Sequence, residues 1–245
     1  MTYMLASVID AAEVRIALDT GADIVNLRDA GGGALPAAVV REAVALVARR
    51  RTVSATVGNV TMEPALLVER VAEMAETGVD YVCVRLCVDP GLHACIEALR
   101  EVSGRVALVG AMLADQRPDL GLIRHIARSG FAGVMLDTLH KAEGGLLKYV
   151  TEAGIGNFLG RAATVGLFSG LGGSFALSDI PLLLELGPDF IGFRGTLCAG
   201  GRLDPALAAK VRMAIPRHGE LPGEHRQAPD RAAGAPPSSL PAART

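Results

Sequence analysis

The residues best placed to do chemistry together lie in Met135-Leu136-Asp137-Thr138-Leu139-His140-Lys141. An acid closing an apolar run and an amine four residues later can share one site, where neighbouring cations lower the amine pKa and free it to attack a carbonyl. Aldolase-type chemistry needs that pair: Lys141 to form an imine, Asp137 to move protons. The alternative is that Lys141 is an ordinary solvent-exposed loop lysine. The chain holds three lysines (141, 148 and 210) against 21 arginines, so any mechanism that needs an amine has few candidates. His140, a lone loop histidine, reads as surface.

Around this pair the sequence sets cations and glycines. Strand alternation puts Asn26 with Arg28 on one face, Tyr81 with Cys83 and Arg85 on another, and Met135 with Asp137 on a third. If these faces meet, Arg28, Arg85 and Asp137 either form an ion-pair network or leave excess positive charge that invites an anion. Two loops point to phosphate: Ser169-Gly170-Leu171-Gly172-Gly173-Ser174 and Arg194-Gly195-Thr196-Leu197-Cys198-Ala199-Gly200-Gly201-Arg202. Glycines let backbone N–H groups approach oxyanions closely, and Arg194 adds charge beside the second loop. Gly31-Gly32-Gly33 reads as a flexible loop that could act as a lid.

The elements that must position these residues alternate regularly. Short β-branched or apolar runs fall at 3–9, 23–28, 52–57, 80–86, 105–111, 131–137, 164–169 and 189–194, separated by amphipathic stretches such as 37–50 and 65–76. Prolines 36, 64, 90, 118, 181 and 205 lie near proposed helix starts, with Asp89 and Asp204 as N-caps. Gly21, Gly78, Gly130 and Gly187 each end a helix just before a strand. Eight βα units over 1–215 without a long crossover predict one closed (β/α)₈ barrel, with its chemistry at the C-terminal ends of the strands. The two glycine loops then follow strands seven and eight, the usual phosphate position of this fold.

Composition excludes several classes of function. A net charge of −2 leaves no broad basic surface for nucleic acid. The uncharged stretch 162–178 is too rich in Gly and Ser for a membrane helix, and residues 1–10 lack the pattern of a secretory signal. The four cysteines form no CxxC pair and read as reduced thiols of a cytosolic protein, and the five histidines lack metal-ligand spacing. No cofactor is expected. The segment 216–245, with six of the 13 prolines, reads as a disordered tail. The high apolar content allows association into a homo-oligomer.

Four motifs together carry a family resemblance. Gly21-Ala22-Asp23-Ile24-Val25-Asn26-Leu27-Arg28, Val53-Ser54-Ala55-Thr56-Val57-Gly58, Val134-Met135-Leu136-Asp137-Thr138 with Lys141, and Asp189-Phe190-Ile191-Gly192-Phe193-Arg194-Gly195 resemble the (5-formylfuran-3-yl)methyl phosphate synthases over residues 3–212. The resemblance implies a (β/α)₈ enzyme that condenses two glyceraldehyde 3-phosphate molecules into a phosphorylated furan aldehyde for methanofuran or methylofuran, with loss of phosphate and water. Asp137 and Lys141 match the family's acid and lysine after strand six, and Ser7 and Asp115 match too. The family's imine-forming lysine on strand two corresponds to Arg28, the aspartate two before it to Asn26, and its strand-four lysine to Cys83. Arginine stays protonated and cannot form an imine; a thiol at Cys83 could still exchange protons, and Arg85 could lower its pKa. Two further readings share the scaffold: a non-catalytic paralogue that binds a phosphorylated metabolite or an active subunit, and an aldolase or isomerase acting on another sugar phosphate.

Overall fold

The computed structural model describes residues 1–140 and 144–216. In chain order the elements are β1 (Tyr3–Val8), α1 (Ala11–Asp19), β2 (Ile24–Leu27), α2 (Ala37–Val47), β3 (Thr52–Thr56), α3 (Pro64–Ala75), β4 (Tyr81–Leu86), α4 (Leu92–Ala98), β5 (Ala107–Leu113), α5 (Leu122–Arg128), β6 (Gly133–Asp137), α6 (Leu146–Tyr149), α7 (Glu152–Thr164), β7 (Phe168–Leu171), α8 (Ile180–Leu186), β8 (Phe190–Phe193), the short hairpin β9 (Cys198–Ala199) and β10 (Arg202–Leu203), and α9 (Pro205–Ala214). Strands β1 to β8 pair in parallel in sequence order, and β8 pairs back onto β1 to close the barrel. The expected (β/α)₈ architecture is therefore the observed one. The expected tail lies, apart from Pro216, outside the described residues.

Local sequence explains most boundaries. The four helix-ending glycines take φ of 82°, 86°, 84° and 71°, a left-handed conformation that lets the chain turn at once into the next strand. Three of those turns deliver an aspartate that ties neighbouring strands at the bottom of the barrel. Asp23 accepts from Met4 N, Asp80 from Val53 N and Asp189 from Ser169 N, at 2.7–2.8 Å. Asp204 caps α9 as expected, accepting from Leu207 N.

Two expected details need correction. The seventh strand starts at Phe168, because Thr164 still belongs to α7 and bonds back to Gly160 O, and Gly166 (φ 75°) makes the turn. Asp89 is not the cap of α4; it accepts from Gly91 N in a turn ahead of the helix, whose cap position is Gly91.

Helices bury their apolar stripes on the outside of the barrel, in one large core that runs from Met4 through Ile96 and Phe158 to Val211. Burial at about 25 cal/mol per Å² of apolar surface makes this the main stabilising contribution. A second cluster fills the barrel's interior: Leu5, Val109, Ala111, Met135 and Phe190, with Tyr81 and Phe168 packed against it. The rings of Tyr81 and Phe168 meet edge to face at 5.4 Å, and those of Phe168 and Phe190 at 6.0 Å. Gly133 and Gly170 make room for this plug, since a Cβ at either would collide with the Phe168 or Phe190 ring. A chain with few aromatics concentrates three of them as a floor beneath the mouth.

Candidate active site

Above that floor lies a polar layer. Ser7, Asn26 and Ser54 stand in register on β1, β2 and β3; Ser54 Oγ donates to Asn26 Oδ1 (2.9 Å) and Asn26 Nδ2 to Ser7 Oγ (3.2 Å). Asn26 is thereby held by its neighbours on both sides. Cys83 faces the interior with its Sγ 4.0 Å from Met135 Sδ. No disulfide joins the four cysteines among the described residues, and burial pushes the thiols of Cys87, Cys95 and Cys198 above the usual thiol range, so these three are poor nucleophiles.

At the rim, the structure gathers Arg28, Arg85 and Asp137, all buried, as the strand alternation requires. Asp137 ends β6 and accepts from Thr138 N at 2.8 Å. The backbone after β7 crosses directly over it: a Cβ at Gly172 would lie 3.1 Å from Asp137 Oδ1 and 2.9 Å from Met135 Cε. Gly173 (φ 115°) and Ser174 (φ 54°) continue this turn in the left-handed region. Among the described residues, no acceptor takes the N–H of Gly173, Ser174 or Gly195, and the buried hydroxyl of Thr138 has no partner while lying against Gly173. Unengaged backbone N–H groups on glycine turns are the kind of donor that holds oxyanions in this fold. Thr196 Oγ donates to Phe175 O and links the two loops.

Asp115, in the turn after β5, acts on the segment that leads to Lys141. Its carboxylate accepts from Leu139 N, His140 N and His140 Nδ1 at 2.9–3.2 Å. Burial opposes its charge, but the N–H groups of His140, Leu139 and Asp115 itself, with the His140 side chain, outweigh that and hold the carboxyl below its ordinary value. Lys141 lies outside the described residues.

Arg194 is occupied within the protein. It donates to both carboxylate oxygens of Glu13, to Ser7 O (3.1 Å) and to Gly201 O (2.9 Å). Glu13, only 1% exposed, also accepts from Ile9 N and Leu203 N. Arg194 thus fastens β8 to β1 and brings charge to the rim, with its own donors engaged by the protein. Sequence reading passed over Glu13, Thr138 and Asn59, which accepts from Arg85 Nη1. A Ser-Asn-Ser register was legible in principle from Ser7, Asn26 and Ser54, each at the same height in its strand motif.

Arg28 is 6% exposed, and its Nε has no partner. Burial pushes its pKa down, Asp137 pulls it up, and Arg85 and Arg194 push it down again. Among the described residues, no group of three His, Cys, Asp or Glu could hold a metal ion, and no helix is long and apolar enough to cross a membrane.

Comparison with known proteins matches the 4-HFC-P synthase family model to residues 4–214. A (5-formylfuran-3-yl)methyl phosphate synthase of Methanopyrus kandleri is 32% identical over 213 residues, covering 81% of this chain and 90% of the relative. One of Methanosarcina mazei is 31% identical over 214 residues, covering 81% and 92%. In fold, the chain is similar to phosphoribosylanthranilate isomerase of Thermotoga maritima (TM-score 0.62, 13% identity, 87% and 98% covered). It is also similar to 3-hexulose-6-phosphate synthase of Salmonella typhimurium (TM-score 0.57, 15% identity, 87% and 98% covered).

Proposed function

The chain belongs to the 4-HFC-P synthase family, and from that premise we propose that it condenses two molecules of glyceraldehyde 3-phosphate into a phosphorylated furan aldehyde, with release of phosphate and water. The chemistry is that of a class I aldolase-like lyase. The Lys141 amine attacks a substrate carbonyl carbon, a C–N bond forms and the carbonyl oxygen leaves as water. Asp137 carries protons to and from the reacting carbons. Arg28, always cationic, holds negative charge where it cannot form an imine, and Cys83 exchanges protons as a thiol. The phosphate rests on the N–H groups of Gly173, Ser174 and Gly195, with Thr138 beside them. We place this reaction in the cytosol.

One observation carries the reading: the buried acid Asp137 lies directly beneath the glycine cradle, so a phosphate held there sets its carbon chain over the acid. The test is to incubate the protein with glyceraldehyde 3-phosphate and borohydride and to map adducts by mass spectrometry. The expected result is a reduced adduct on Lys141 and, without borohydride, growth of furan aldehyde absorbance. Absence of both, in protein that still binds phosphate, overturns the reading.

A further inference from the structure

The proposed reaction brings two phosphorylated molecules into one mouth, and the glycine cradle accounts for one phosphate. Resting on that reading, we propose that Arg28 and Arg85 form a second oxyanion subsite on the opposite wall, backed by Asn59 and the Gly31–Gly33 loop, which takes the phosphate of the second substrate.

Both side chains are buried to 6% exposure, and among the described residues neither forms an ion pair. Guanidinium groups stay protonated at any pH the protein experiences, and the nearby acid Asp137 offsets only part of the charge that Arg28 and Arg85 bring together. The two converge. A Cβ at Gly32 would lie 3.2 Å from Arg28 Nη1 and would collide with Arg85 Nη2, so both guanidiniums reach the same stretch of backbone. Asp29, the acid next to Arg28 in sequence, is turned away: it accepts from Gly33 N at 2.6 Å, and the chain closes on itself through Asp29 N to Gly33 O. The loop rests on the turn after β3, where a Cβ at Gly58 would strike the Gly33–Ala34 backbone. Gly31–Gly33 thus packs as one wall beside the two guanidiniums. Arg85 has one side-chain partner, Asn59 Oδ1, which orients its planar fork and leaves its remaining donors for a ligand. Two converging guanidiniums, one oriented by Asn59, carry the charge and the paired N–H groups that a phosphate dianion takes.

The experiment is calorimetric titration of the full chain with inorganic phosphate at low ionic strength. The expected result is two sites. In Arg85→Gln one of them weakens about 30-fold, the loss of one or two charge-assisted hydrogen bonds, and the other is unchanged. Gly32→Ala, whose new methyl displaces the Arg85 guanidinium, weakens the same site, so the proposal stays testable if Arg85→Gln does not fold. Two sites of wild-type affinity in either folded variant overturn the subsite, and they do so whether or not furan aldehyde forms. If two sites respond as expected while glyceraldehyde 3-phosphate is neither trapped nor converted, the subsite stands and the proposed reaction falls.

Discussion

Two sets of largely enclosed arginines differ in what neutralises them. Arg194 meets a carboxylate that is itself almost wholly enclosed, and two carbonyls complete its bonding. Arg212 on α9 does likewise with Asp23 and the carbonyls of Gly21 and Ile215. Arg28 and Arg85, equally buried, meet a single amide oxygen between them and no carboxylate within ion-pair distance among the described residues. A buried charge whose partner is part of the fold is architecture. A buried charge without one lowers stability and so points to a ligand.

Glu13→Gln tests the first half of this contrast most severely. It leaves Arg194 buried without its counter-charge, and we expect urea unfolding to show a loss of about 3–5 kcal/mol; a loss under about 1 kcal/mol would erase the distinction. Arg28→Met should act in the opposite direction, raising stability by about 1–2 kcal/mol because a buried cation that repels Arg85 and has no carboxylate within ion-pair distance among the described residues is replaced by an apolar group of similar length. Calorimetric melting checks it, and destabilisation there would show that Arg28 has a structural partner after all. Asp115→Asn sharpens the comparison through pH. Its folded pKa is lowered, so its stabilisation is present above the ordinary carboxylate range and is lost as pH falls through the lowered value. Wild type should exceed the variant by about 1–2 kcal/mol at neutral pH, and denaturant midpoints measured at descending pH should converge below that range. The smallest effect belongs to Arg70→Ala: its pair with Glu73 is half exposed, and a change above about 0.5 kcal/mol in the same assay would be a surprise.

Sequence periodicity carried the barrel well, because strand and helix repeats are local and four helix-ending glycines, with prolines near the helix starts, punctuate them. The seventh unit slipped where Thr164 and Val165 satisfied both a helical and an extended reading; the buried face Ile155, Phe158, Leu159 and Ala162 decided for the helix. Arg28, Arg85 and Asp137 were legible as mouth residues because a strand's alternation fixes direction. Glu13 was not. On α1 it resembles any first-turn acid, and the partner that buries it stands 181 residues away. Asn59 lies in a turn, where no period reveals which way a side chain faces. What escapes sequence reading here is pairing between the tops of distant strands.

The ring plug of Tyr81, Phe168 and Phe190 also governs traffic. With the barrel blocked below the polar layer, substrates, water, expelled phosphate and product share one opening. Both molecules of glyceraldehyde 3-phosphate enter by that opening one after the other, so initial rates should rise with the square of its concentration when it is scarce, and inorganic phosphate should compete with it.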